Sequence, residues 1–191
     1  MLYKKKILAI IPVRMGSKRL KLKNIKIFKG KPLFLNTIHL AKKCKYIDEI
    51  VVSSENQLIT KYFYNIKKVN FRLRPKQIAK DSTKANEVIL DVLHNIKRNY
   101  DYFIYLQPTS PLRNLYDLEV SLKKIVYKNI KSLISVSLNS INPNGAIYIS
   151  KVNHYKKEKK FNNNHFLNYQ MPKFRSIDID HLKDFEKAKK I

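Results

Sequence analysis

An α/β fold built on a mainly parallel sheet is what the sequence predicts, and three observations carry it. Residues 7–13, ILAIIPV, form a short apolar run rich in β-branched side chains, the mark of a buried strand. Strand-like and helix-like segments then alternate at the spacing of βαβ units. The runs at 7–13, 47–54 and 102–106 each empty into a polar loop. In open α/β sheets, ligands bind at the edge where such loops collect.

The first loop holds Gly16, Ser17 and a dense series of cations: Arg14, Lys18, Arg19, Lys21 and Lys23. Backbone N–H groups and cationic side chains brought together at a strand end suit phosphates. Neither G-x-G-x-x-G nor G-x-x-x-x-G-K-[ST] occurs, so a polyanion would be held here in another way. After it, Gly30 marks a turn and Pro32 suits the first turn of a helix over 33–43. His39 on that helix reads as a packing or surface residue. Residues 47–54 give the second strand, followed by helix-compatible NQLITKYFYN, and a short strand is expected near 68–71.

Arg74 precedes Pro75 and is therefore a loop residue rather than a helical one. Asp81, Ser82 and Thr83 are N-cap candidates for a helix running to about residue 97. The strand at 102–106 leads into QPTSPLR, where Pro108 and Pro111 fix a rigid turn and deliver Gln107, Thr109, Ser110 and Arg113 to the same sheet edge as Arg14. Ser110 or Arg113 could instead cap the helix expected over about 114–128. Strands follow at 132–138 and 145–150, with Gly145 permitting a close backbone approach.

The Lys/Asn-rich stretch 151–172 reads as a helix stub and a surface loop, with His154 and His165 as surface residues. In SIDID, Asp178 and Asp180 alternate with Ile177 and Ile179, so on a strand end both carboxylates face one side. A pair like that needs a counter-charge, which either a surface lysine or Mg²⁺ can supply. A short helix is expected after it.

Length and composition bound the rest. With 191 residues and 44% hydrophobic content, the chain is read as one domain, 1–191, with a sizeable core. Its single cysteine, Cys44, excludes an intrachain disulfide and a Cys-rich zinc site and fits a cytoplasmic setting. The opening MLYKKK precedes an apolar run, but that run is short, contains Pro12 and ends at Arg14, so no secretory signal is expected. Nothing approaches the roughly 20 apolar residues of a membrane span, so no membrane partner is expected. Forty Lys+Arg against 14 Asp+Glu give +26, which invites a nucleic-acid reading. The lysines are spread over the whole chain, and Lys, Ile, Asn and Tyr share A/T-rich codons, so no specific nucleic-acid partner is expected. The charge does raise the local concentration of nucleotides.

The stretch IPVRMGSKRLKLKNI resembles the N-terminal motif of the acylneuraminate cytidylyltransferases, the CMP-sialic acid synthetase family. VVSSE (51–55), LRPKQIAKD (73–81), YLQPTSPLR (105–113), NGAIYIS (144–150) and SIDIDHLKDFEKA (176–188) follow in the family's order and cover nearly the whole chain. The resemblance implies a three-layer α/β/α fold of the nucleotide-diphospho-sugar transferase type, Rossmann-like, with a mixed but mainly parallel sheet. It implies transfer of CMP from CTP to the anomeric hydroxyl of a sialic-type nine-carbon 2-keto sugar acid, with release of pyrophosphate, for surface glycan synthesis. Arg14, Lys18, Lys23, Asp178 and Asp180 would be catalytic. Arg14, Gly16, Ser17, Lys18, Lys23, Asn24, Arg74, Ser82 and Thr83 would bind the nucleotide, Gln107 would face the sugar, and Asp178 and Asp180 would hold Mg²⁺.

Two departures stand out. Ser54-Glu55 replaces the family's usual ending V-S-T-D, and NPNGAIYI follows ISVSL almost at once. Family members usually carry an arm there, with sugar contacts and an exchange between subunits; near 139–143 it is largely missing, and Asn142 stands where an arginine is common. The family's usual homodimer is therefore not assured. The alternatives that stay open are a nucleotide-binding paralogue without catalysis and an enzyme for another acid sugar, legionaminic, pseudaminic or Kdo.

Overall fold

A computed structural model describes residues 2–17, 19–161 and 166–191. In chain order the elements are β1 (Ile7–Pro12), β2 (Ile27–Phe28), β3 (Lys31–Pro32), α1 (Leu33–Lys43), β4 (Glu49–Ser54), β5 (Val69–Leu73), α2 (Ala85–Asn95), β6 (Tyr102–Tyr105), α3 (Leu115–Tyr127), β7 (Ser132–Ser137), β8 (Pro143–Lys151), α4 (Val152–Glu158), β9 (Phe166–Met171) and α5 (Leu182–Lys189).

The main sheet has seven strands in the order β5-β4-β1-β6-β8-β7-β9. β5, β4, β1 and β6 run parallel, β8 is antiparallel to both its neighbours, and β7 pairs β9 in parallel. The expected mixed, mainly parallel sheet is therefore present. β1 shows why it lies at the centre. Ile7, Ala9, Ile11 and Val13 pack on one face with Phe34 and Ile38 of α1 and Leu118, Leu122 and Ile125 of α3. Leu8 and Ile10 pack on the other with Ile89, Val92 and Leu93 of α2 and Val152 and Tyr155 of α4. A strand apolar on both faces can only sit between two helical layers, and each buried aliphatic contributes about 1.5–3 kcal/mol.

A third, smaller cluster docks the C-terminus. Leu20, Phe28, Leu33, Ile179, Phe185 and Ala188 bury together, and the rings of Phe28 and Phe185 meet edge-on at 5.8 Å. This satellite core ties α5 and residue 179 to the β2–β3 hairpin beside the basic loop.

Several expectations are corrected. The residues after β4 make a 3₁₀ helix, Gln57–Tyr62, capped by the Asn56 side chain, rather than an α-helix. Pro32 lies at the N-cap of α1 and not inside its first turn. The cap of α2 is Lys84, whose N–H donates to Glu87 Oε1 at 2.7 Å; the Asp81–Ser82–Thr83 trio stands outside the helix. Asn114 and Asp117 form a reciprocal capping box on α3, leaving neither Ser110 nor Arg113 as its cap. Stretch 151–172 holds α4 and then β9, a strand where a surface loop was expected. Residues 176–180 belong to neither a strand nor a helix. Among the described residues no helix is long and apolar enough to cross a membrane. His165 lies outside the described residues.

Candidate nucleotide-binding cleft

The C-terminal ends of β1, β5 and β6 open on a cleft of about 600 Å³. Its basic wall starts where β1 stops. Val13 N–H donates to Ser53 O at 2.8 Å, continuing the parallel ladder for one more residue. Arg14 then turns its guanidinium into the cleft, where it pairs with Asp81. The peptide group that follows Arg14 is pinned at both its N–H and its C=O. Met15 N–H donates to Glu55 Oε1 at 2.7 Å, and Asn24 Nδ2 donates to Arg14 O at 2.7 Å. Glu55, at the site of a departure from the family pattern, thus has a structural task that the sequence did not show.

Arg74 follows β5 and is buried under the same cleft. Its backbone N–H donates to Ser54 O at 2.8 Å. Its guanidinium donates to Ser53 O at 2.8 Å and to Ser53 Oγ at 3.2 Å. Burial pushes this guanidinium down from its ordinary value, partly offset by Tyr105 and Glu55. Thr83 and Lys80 line the opposite lip.

The acidic wall is the segment 177–180, which lies outside any strand or helix. Ile179 points into the satellite core and its N–H donates to Thr109 O at 2.8 Å, so Asp178 and Asp180 both turn to the cleft. The same-side pairing expected from alternation holds, although no strand forms. Upstream, Arg175 grips buried Asp117 of α3 through two bonds of 2.9 and 3.0 Å, while Tyr169 Oη donates to Asp117 at 3.0 Å. That ion pair fixes where the segment starts. Lys23 bridges the two walls: Nζ donates to Ile179 O at 2.6 Å and to Asp180 Oδ1 at 3.2 Å. Arg19, counted among the loop's cations but not among the expected site residues, donates from Nη1 to Asp180 Oδ2 at 3.0 Å.

Asp178 is exposed to the cleft, with Gly145 close behind its carboxylate. Desolvation raises its carboxyl above the usual range and the charge of Asp180 adds to that, while a Thr109 hydrogen bond, Lys23 and Arg113 oppose it. Arg113 is buried behind the wall. It donates to Gln107 O at 2.8 Å, to Ala146 O at 3.0 Å and to Thr37 Oγ1 at 2.7 Å. Burial pushes this guanidinium down to about 9, still a cation at neutral pH.

Gly145 sits at φ +78 against the side chains of Gln107 and Asp178. A Cβ there would lie 2.9 Å from Gln107 Oε1 and 3.3 Å from Asp178 Oδ2. The close approach expected at this glycine is thus an approach to the cleft. Gly145→Ala combines a left-handed backbone, about 1–2 kcal/mol for a residue with a side chain, with displacement of Gln107. A Tm lowered in proportion is expected in thermal melts; an unchanged Tm would show that the strand yields freely.

Arg14, Ser17, Lys23, Asn24, Arg74, Thr83, Gln107, Asp178 and Asp180 are therefore brought together at one cleft. Gly16 and Ser82 are exposed beside it and do not line it. Lys18 lies outside the described residues. The donor chemistry fits a hard divalent cation: Asp178 and Asp180 share one wall of the cleft, whereas the third carboxylate lining it, Asp81, is paired with Arg14. Among the described residues no third His, Cys, Asp or Glu joins them, so water and phosphate oxygens would complete the shell, as Mg²⁺ prefers. A cleft of about 770 Å³ at the opposite sheet edge is lined by Lys4, Lys6, Arg98 and Lys156 around Asp101 and brings no carboxylate pair together.

A family model described as cytidylyltransferase matches residues 8–190. An N-acylneuraminate cytidylyltransferase of Escherichia coli O18:K1:H7 is 31% identical over 96% of this chain and 51% of its own length. A CMP-N,N'-diacetyllegionaminic acid synthase of Legionella pneumophila is 33% identical over 70% of this chain and 60% of its own length. The chain thus spans about half the length of the curated relatives it matches. The solved CMP:2-keto-3-deoxy-manno-octonic acid synthetase complexed with CTP superposes with a TM-score of 0.76 at 13% identity, covering 97% of each chain. That likeness shows a shared fold.

Proposed function

The chain belongs to the cytidylyltransferase family, and from that premise we propose that it transfers CMP from CTP to the anomeric hydroxyl of a sialic-type 2-keto sugar acid. The observation that carries this reading is the cleft itself, where a pinned basic loop faces a pair of carboxylates across the ends of the parallel strands. In the reaction the anomeric oxygen attacks the α-phosphorus in line. The new O–P bond forms as the bond to the β-phosphate oxygen breaks, pyrophosphate leaves, and the hydroxyl proton passes to solvent. A step of this kind asks mainly for positioning and charge neutralisation.

Arg14 and Ser17 would hold the triphosphate, with Lys18 and the exposed N–H of Gly16 beside them. Lys23 and Asn24 serve that loop by anchoring it, Lys23 to the acidic wall and Asn24 to Arg14 O. Arg74 and the 80–83 lip would face the base, Thr83 more directly than Ser82. Gln107, held beside Gly145, would contact the acceptor sugar. Asp178 and Asp180 would hold Mg²⁺, which when bound neutralises phosphate oxygens and favours loss of the hydroxyl proton. The cytoplasm, where CTP and a reduced Cys44 both belong, is the compartment this reading implies.

The connection between β7 and β8 is only residues 138–142, so on this reading the sugar is bound without the family's arm and a homodimer is not required. The similarity to a legionaminic acid synthase makes that acid an acceptor to test beside N-acetylneuraminic acid. Pyrophosphate release should be measured from CTP with Mg²⁺ against N-acetylneuraminic, legionaminic, pseudaminic and Kdo acids, with ATP, GTP and UTP as controls. Release with CTP and one acid is the expected result. Silence across the panel with CTP still bound would leave a nucleotide-binding paralogue, and silence without CTP binding would overturn the reading. Arg14→Ala should weaken CTP binding by at least about tenfold, the scale of a lost charge-assisted contact of roughly 1.5–3 kcal/mol, as read by calorimetry.

A further inference from the structure

Both oxygens of Asp180 are taken by cations, and the two cations are held very differently. Lys23 has a side chain only 11% exposed and gives a second, shorter bond of 2.6 Å to Ile179 O. Withdrawing it would orphan a backbone carbonyl and part the two walls of the cleft. The Arg19 side chain is 62% exposed, and among the described residues Asp180 is its partner, at 3.0 Å. An exposed pair of that kind is worth only about 0–1 kcal/mol.

A divalent cation seated on Asp180 would lie close to the Arg19 guanidinium, and like charges about 4 Å apart repel by about 4 kcal/mol per unit-charge pair at a protein surface. One cation must therefore move, and the weakly held one is Arg19. Arg19 lines the same cleft as Arg14 and Ser17. Its planar fork suits phosphate oxygens better than an ammonium does. We propose that Arg19 is a displaceable stand-in for the divalent cation: it neutralises Asp180 in the free enzyme and transfers to the nucleotide's phosphates when cation and nucleotide enter. The inference rests on the cytidylyltransferase reading and assigns a positioning role to a residue outside the predicted site.

The test separates this role from a structural one by sign. Mn²⁺ alone is titrated into wild-type, Arg19→Ala and Arg19→Lys protein, with free Mn²⁺ read by electron paramagnetic resonance, and CTP with Mg²⁺ is titrated by calorimetry. Arg19→Ala should bind Mn²⁺ alone about two- to fivefold tighter, the scale of an exposed ion pair, and bind CTP more weakly by a similar factor. Arg19→Lys keeps the charge and should stay near wild type for Mn²⁺ alone, but should recover only part of the CTP affinity, because an ammonium lacks the fork. Mn²⁺ binding that is weakened or unmoved in Arg19→Ala, or CTP binding that is unmoved, overturns the proposal while leaving the enzymatic reading intact if wild-type protein still releases pyrophosphate from CTP. Wild-type protein that binds neither Mn²⁺ nor CTP removes both.

Discussion

Asp178→Asn should leave a folded protein that binds CTP within a few-fold of wild type and forms product at least about 10²-fold more slowly, the scale of losing one stabiliser of transition-state charge. The amide is nearly isosteric and keeps the Thr109 hydrogen bond, but it cannot offer a hard dication an anionic oxygen. Asp178 is a sharper probe than Asp180, because Asp180 also pairs with Lys23 and Arg19. A change at Asp180 therefore detaches the basic loop as well as removing a ligand. Desolvation and the neighbouring carboxylate raise the Asp178 carboxyl, so the ionised group is one the fold holds at a cost, and Asp178→Asn should melt no earlier than wild type. Pyrophosphate release, calorimetry and a thermal melt read the three quantities. Near wild-type turnover would sink the metal assignment, and a lowered Tm with lost CTP binding would make Asp178 a structural residue instead.

Arg113→Ala should cost about 3–5 kcal/mol of stability, since hydrogen bonds from a charged donor are worth roughly 1.5–3 kcal/mol each and are not fully additive. At about 2–4 °C per kcal/mol for a chain of this size, Tm should fall by about 10 °C. The substitution removes the side-chain donor to Ala146 O, leaves Gln107 O with only the 3.3 Å bond from Ser110 N–H, and opens a void where the guanidinium fork lay. Arg113→Lys keeps the charge but not a fork able to reach three acceptors on three elements, so it should recover less than half of the loss. Because Gln107 precedes the Pro-rich turn and Ala146 follows Gly145, turnover should fall in both variants beyond what the folded fraction explains. A melt within about 2 °C of wild type, less than 1 kcal/mol on that scale, would show that other donors replace the fork.

How much of this was legible in the sequence follows from the range of the interactions. The strand over 7–13 was legible because apolar residues on both faces admit few environments other than a covered sheet. Helices α1 and α3 were legible from local period and turn residues. β9 was not: FLNYQM has no alternation that stands out in an Asn-rich stretch, and it becomes a strand because β7 offers it a free edge, burying Tyr169 and Met171. The cap of α2 was misplaced because Asp81, Ser82 and Thr83 satisfy the local rule for capping, while Asp81 is drawn instead to Arg14.

The site divides along the same line. The sequence by itself determined which chemical groups are available: a glycine-containing basic loop, a pair of alternating carboxylates, and a rigid turn carrying Gln107. The family resemblance joined them into one expectation. Only the tertiary structure decided which of those groups are free to act. Lys23 and Asn24 are engaged in holding the loop, Ser82 is exposed outside the lining, and Arg113 braces the floor from behind. It also brought forward Arg19 and Glu55, whose partners lie far along the chain. The reason is physical. Composition and spacing fix residue type and local periodicity, whereas the partner of a charged side chain is set by contacts between segments that meet only when the sheet and its satellite core have formed.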